Sequence, residues 1–248
     1  MTQADLAFAA ESSTRHLSCL ETGKSQPSRE MVARLAEYLE IPLRDRNTLL
    51  LAAGFAPAFQ ERSLAALDAA KGAIDRILKA HKPYPAFAVD RHWNVVMSNS
   101  ALPQLYEGCS ADLLRPPANA LRLTLHPDGI GPRIVNYAAW RAHTLSLLRQ
   151  QFDARADAVI QALLAEVSAY PIPRGCEGAG AFEASERLAT PLRIATRLGV
   201  MSFLSTVTVF GTPNDVTLSE LALEMMFPAD DATARIAHAM VEELESAA

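Results

Sequence analysis

The chain of 248 residues spans about 1.7 lengths of a ~150-residue domain, and half of it is apolar, which favours two folded domains over one and excludes wholesale disorder. The net charge of −5 excludes DNA binding by bulk positive charge but leaves room for a small basic reading surface. Cys19, Cys109 and Cys176 are too far apart for a CxxC knuckle or a disulfide framework, and they suit a reducing cytoplasm. No charged leader pattern opens the chain. The longest uncharged run, 198–214, is too short and too rich in hydroxyls for a membrane span.

Residues 1–54 read as four short helices. Thr2 caps the first, with Asp5 three residues on as a capping-box partner. The turn Glu11-Ser12-Ser13 breaks it, Ser12 or Ser13 caps the second, and Gly23 stops the second. The third carries Met31, Val32, Leu35, Ala36 and Leu39 at helical spacing, and Pro42 opens the fourth, which ends at Gly54. Residues 55–63, with Pro57 and Gln60-Glu61-Arg62, have the composition of a linker.

A helix is expected over 64–81, ended by Pro83 and Pro85. Strands follow at 86–89 and 93–98, then a short helix capped by Asn99, a helical stretch over 119–125 and the turn His126-Pro127-Asp128-Gly129. Long helices over 133–153 and 156–169 and a loop over 171–181 precede strands at 192–196, 201–210 and 218–227. Val207 and Val209 alternate with Thr206 and Thr208, the period of a half-buried strand. A last helix covers 232–244. The expected class is α+β: a helical N-terminal domain over 1–54, a linker over 55–63, and a domain over 64–248 with a five-stranded antiparallel sheet and helices.

The run Gln3 to Lys24, with Leu6-Ala7, Ser18 and Leu20-Glu21-Thr22-Gly23, resembles the Cro-type, xenobiotic-response-element class of helix-turn-helix domains. That resemblance implies that the second helix enters the major groove and that Thr14, Arg15 and Cys19, with His16 beside them, face base edges. It places Gln3 and Lys24 at phosphates. An Arg at position 15 can fork onto guanine O6 and N7. Over 12–29 the balance is Arg15, Lys24 and Arg29 against Glu21, or +2. The plainer alternative is a helical hairpin that only packs. The class resembles a five-helix bundle, and four helices precede the linker here. The expectation is therefore a domain lacking its first helix, with the faces of Leu6, Leu17 and Leu50 partly open, and a start upstream of Met1 or a marginal DNA-binding domain.

The segments Asp90-Arg91-His92-Trp93-Asn94-Val95, Leu121 to Gly129, Pro132 to Asn136 with Trp140 to His143, Ser205 to Thr217, and Phe227-Pro228-Ala229-Asp230 together resemble the MmyB-like ligand-binding domain of helix-turn-helix regulators, over most of 64–231. The resemblance implies a PAS-like fold and a small, largely apolar ligand, fatty-acid-like in type. Such pockets are apolar with a few convergent polar groups, here His126, Arg133, Asn136, Arg141 and His143, with Trp140 among them. Arg133, Asn136, Trp140 and His143 fall at three- and four-residue steps, one face of a helix. The alternative is that they fasten the 126–129 loop to that helix. Trp93 and Phe203 are core candidates.

No nucleophile elbow, Walker loop, zincin motif or dinucleotide fingerprint occurs, so no cofactor and no enzymatic activity are expected. A hydrolase using His126 and Asp128 is the weakest alternative. The leading expectation is a homodimeric, ligand-responsive regulator acting on duplex DNA in the cytoplasm. The runner-up is a ligand sensor without specific DNA binding that works through protein contacts.

Overall fold

Residues 1–68 and 210–220 gather into one unit, and residues 69–209 and 221–248 into another. The computed structural model describes residues 2–173 and 190–246, so Cys176 and most of the loop expected over 171–181 lie outside the described residues.

The first unit holds α1 (Gln3–Ala9), α2 (Thr14–Glu21), α3 (Arg29–Tyr38) and α4 (Leu43–Ala52). Local chemistry sets their ends. The Thr2 hydroxyl accepts from the Asp5 N–H while the Asp5 carboxylate accepts from the Thr2 N–H at 2.7 Å, a complete capping box. Ser13 and Ser28 accept from the N–H groups of His16 and Met31 at 3.1 and 3.2 Å. Gly23 stops α2 at φ 69°, a conformation that costs glycine nothing. Ala7, Ala10, Leu17, Met31, Val32, Ala36 and Leu50 form the buried set. Of the faces expected to be partly open, that of Leu6 is half-buried, but those of Leu17 and Leu50 are closed, at 3% and 4% exposed. The reason is that α1 packs on both α2 and α3, and α3 on α4, which closes the interior.

The stretch 55–63 is fastened to α4. Asn47 Oδ1 accepts from the N–H groups of Ala58 and Phe59, both at 3.0 Å, and its Nδ2 donates to the Phe59 carbonyl at 2.8 Å. The Val216 N–H donates to the Gln60 carbonyl at 2.9 Å, and Arg62 pairs with the buried Asp215 at 3.0 Å. Composition signals a linker here because side chains such as Glu61 and Arg62 are charged; their charges are engaged inside the unit.

The second unit contains α5 (Asp68–Ala80), β1 (Ala86–Val89), β2 (Val95–Ser98), α6 (Leu102–Leu105), α7 (Ala111–Leu114), α8 (Ala120–Leu125), α9 (Tyr137–Arg155), α10 (Ala158–Ser168), β3 (Leu192–Thr196), β4 (Gly199–Val209), β5 (Ala222–Pro228) and α12 (Asp231–Ser246), with α11 (Val216–Ser219) between β4 and β5 but packed in the first unit. The sheet runs β2-β1-β5-β4-β3, antiparallel throughout, with the helical insert between β2 and β3. This is the expected α+β, PAS-like arrangement. Its core joins Phe87 and Val89 of β1, Leu125, Tyr137, Leu148, Ile160, Ile194, Phe203 and Met226. Phe203 is fully buried, as a core residue should be, and contributes on the order of 2–3 kcal/mol of apolar burial. Trp93 lies against this core and donates its indole N–H to Gln151 Oε1 at 2.9 Å.

Several boundaries differ from the sequence reading. The long helix begins at Tyr137, because Gly131-Pro132-Arg133 forms a 3-10 turn and Asn136 sits at the N-cap. Asn99 caps no helix; it is a buried hub that accepts from Ala86 and Ala101 N–H and donates to the Leu78 and Tyr84 carbonyls. Val207 and Val209 are strand residues, yet 58% and 62% exposed. β3 pairs with 199–203, so among the described residues the rest of β4 has β5 on one side and no strand on the other. Leu218 belongs to α11, capped by Asp215, and β5 starts only at Ala222. Among the described residues no helix is long and apolar enough to cross a membrane.

Candidate DNA-reading helix and ligand cleft

At about 100° per residue, Thr14, Ser18, Thr22 and Arg15 fall within one arc of about 100° along α2, Leu20 lies opposite the centre of that arc, and Leu17 and His16 flank Leu20. The burial agrees: Thr14, Arg15, Ser18 and Thr22 are exposed, Leu17 is buried, and His16, Leu20 and Cys19 are half-buried. Lys24 is exposed just past the helix. Gln3 at the start of α1 donates its amide to Glu21 Oε2 at 2.7 Å, which ties the two helices together across the turn. Arg34 reaches Glu11 at 3.4 Å, fixing the turn residue that takes φ 50°. Ser18 was not among the sequence candidates; its position one turn beyond Thr14 is the signal that identifies it.

In the second unit the sequence candidates that make hydrogen bonds take different partners, and none of the six lines the cleft described below. Arg133 and Asn136 precede α9, so they share no helical face with Trp140 and His143. Arg133 donates to the Leu105 carbonyl and touches the Cys109 thiol; burial pushes that thiol's pKa up, and Arg133 only partly opposes the rise. Asn136 accepts from the Arg193 N–H at 3.2 Å and donates to the Pro191 carbonyl at 2.7 Å, locking α9 to β3. Arg141 donates to the Ser168 carbonyl at 2.6 Å, while its Nε and the Trp140 indole N–H are buried without hydrogen-bond partners among the described residues. His143 is exposed and lies 5.5 Å from the Trp140 ring.

His126 accepts at Nδ1 from the Asp128 N–H at 3.0 Å and stands edge-on to Tyr170 at 4.8 Å. Tyr170 in turn donates to Glu166, held bidentately by Arg122 at 2.7 and 2.8 Å; Arg122 first and Tyr170 after it keep the Glu166 carboxyl below its ordinary range. His126 thus anchors a loop, and its Nδ1 is already committed to the Asp128 backbone. Among the described residues no group of three or more His, Cys, Asp or Glu could hold a metal ion.

A cavity among the described residues lies elsewhere. A cleft of about 560 Å³ is lined by Gln104, Tyr106 and Cys109 from the α6 end, Leu114 of α7, Arg197 from the β3–β4 turn and Met240 of α12. Its walls are mainly apolar, with Glu107 and Glu243 at the edges. Cys109, one of its lining residues, meets Arg133. None of these lining residues stood out in the sequence, because they come from four separated segments.

Residues 70–240 match the MmyB-like transcription regulator ligand binding domain, and residues 1–45 match a helix-turn-helix family. A comparison with curated proteins finds no match. Covering more than half of the chain, the first match places this protein in the family of the MmyB-like transcription regulator ligand binding domain; with its helix-turn-helix unit it is a ligand-regulated, DNA-binding transcription regulator.

Proposed function

We propose that the protein reads a specific operator as a homodimer in the cytoplasm and that a small, largely apolar molecule with a fatty-acid-like chain changes that reading. Thr14, Arg15, Ser18 and Cys19, with His16 beside them, face base edges; Lys24 meets a phosphate, and Gln3 does so when it exchanges Glu21 for one. Two copies place two such helices in successive major-groove segments. The observation that carries the reading is the exposed, Ser13-capped face of α2 in one unit and a separate unit with an apolar cleft of about 560 Å³, within the usual size range of small-molecule pockets.

The test is selection of bound duplexes from a random library, then titration of the winner against a scrambled duplex at several salt concentrations. The expected result is a specificity ratio of about 10³ or more with a salt slope from a few phosphate contacts. Equal affinity for both duplexes would contradict it. Native mass spectrometry of the free and DNA-bound protein gives the copy number.

A further inference from the structure

We propose that the cleft between α6, α7, the β3–β4 turn and α12 binds an uncharged acyl amphiphile whose carbonyl oxygen accepts a hydrogen bond from Gln104. This rests on the ligand-sensing reading above and names the ligand's polar end. Gln104 lines the cleft, and its Nε2 is buried with no hydrogen-bond partner among the described residues. A buried donor left unmade is costly, and an acceptor in the cleft relieves that cost. The last torsion of Gln is soft, so the amide can turn toward the opening without disturbing α6.

The charges say which acceptor fits. Arg197, the one cation among the described lining residues, is held bidentately by Glu243 of α12, with Nη1 to Oε1 at 3.2 Å and a closer contact between Nη2 and Oε2. Arg133 is not a lining residue; it donates to the Leu105 carbonyl and meets the Cys109 thiol. Glu107 adds an exposed carboxylate at the rim. Among the described lining residues there is thus no unpaired cation for a carboxylate ligand, and a charge buried without a partner is strongly disfavoured. A neutral ester or amide carbonyl satisfies Gln104 without that penalty, while Tyr106, Leu114 and Met240 receive the alkyl chain.

The experiment uses the full-length protein with methyl decanoate and sodium decanoate as probes at pH 8. Binding is followed by calorimetry and by the rate of iodoacetamide alkylation at Cys109, read by peptide mass spectrometry with Cys19 as internal control. Methyl decanoate should bind at least about tenfold more tightly than decanoate and slow Cys109 alkylation without affecting Cys19. Gln104→Leu should weaken the ester roughly 3- to 10-fold, and Gln104→Glu, which keeps the shape, should do the same. The proposal is overturned if decanoate binds as tightly as the ester, if the bound ester leaves Cys109 alkylation unchanged, or if both Gln104 variants bind the ester as well as the natural chain. These readouts do not involve DNA, so they fail or succeed apart from the regulator reading.

Discussion

Arg44 and Glu220, 176 positions apart, are joined by two hydrogen bonds, Nε to Oε1 at 2.7 Å and Nη2 to Oε2 at 2.9 Å. Arg44 also grips Glu61 at 2.5 and 2.9 Å, and these two carboxylates, Glu220 first, hold its guanidinium firmly protonated. Glu220 ends the segment 210–220, which leaves β4, joins the helix-turn-helix unit and returns to β5. Two strands of the sheet are thus covalently continuous with a segment packed in the helix-turn-helix unit.

Arg44→Ala should destabilise the helix-turn-helix unit by about 2–4 kcal/mol, because Glu220 keeps its burial and loses the guanidinium. Urea unfolding followed at that unit measures it. Arg44→Lys, which lacks the fork, should recover only part of the loss. Loss below about 0.5 kcal/mol, the scale of an exposed pair, would mean the contact is dispensable.

Arg15→Ala should relax discrimination at one base pair by roughly 1–3 kcal/mol, whereas Lys24→Ala should weaken all sequences alike and lower the salt slope by about one. Titrations on matched single-base variants of the operator separate the two outcomes. An unchanged specificity ratio in Arg15→Ala would remove α2 from the groove.

Glu224 lies on β5 opposite Phe87 and Val207, buried, and accepts a hydrogen bond from Ser205. Burial raises its pKa above the ordinary 4.5, with Ser205 acting in the opposite direction. The neutral acid is the favoured folded form, so its contribution is fully present below about pH 4.5 and is lost as pH rises through the raised value. Glu224→Gln keeps a neutral side chain, so its stability relative to the natural chain should rise between pH 4 and pH 8. Thermal melts across that range decide it; a difference that is flat with pH would show that Glu224 does not titrate in the fold.

Ala156 closes α9 at φ 49°, its N–H donating to the Phe152 carbonyl at 2.6 Å. An alanine side chain is strained in that left-handed conformation and glycine is not. Ala156→Gly should stabilise the ligand-binding unit by about 0.5–1 kcal/mol, seen as a raised melting temperature. A lowered one would mean the C-cap is not held in this geometry.

Caps and periodicity made the helical unit legible: Thr2, Ser13, Gly23 and the Met31–Ala36 stripe each act locally, within a few residues. The five strands were legible for the same reason. What depended on distant partners was not. The 55–63 segment looked like a linker because Gln60, Arg62 and Arg44 find their partners beyond residue 210. The spacing of Arg133, Asn136, Trp140 and His143 suggested one helical face, but Gly131-Pro132 impose a tighter turn first. The alternation around Val207 marked a strand correctly and its burial wrongly, since burial depends on how far β3 extends alongside. The cleft unites Gln104, Leu114, Arg197 and Met240, which no spacing rule connects.

The central claim is that the two units are energetically linked. The most direct test is the affinity of the full-length protein for its selected duplex with and without saturating methyl decanoate, with ligand occupancy verified by protection of Cys109. The expected result is a change of about 5-fold or more in duplex affinity, of either sign, matched by an equal change in ligand affinity when DNA is bound. An occupied cleft with duplex affinity unchanged would contradict it.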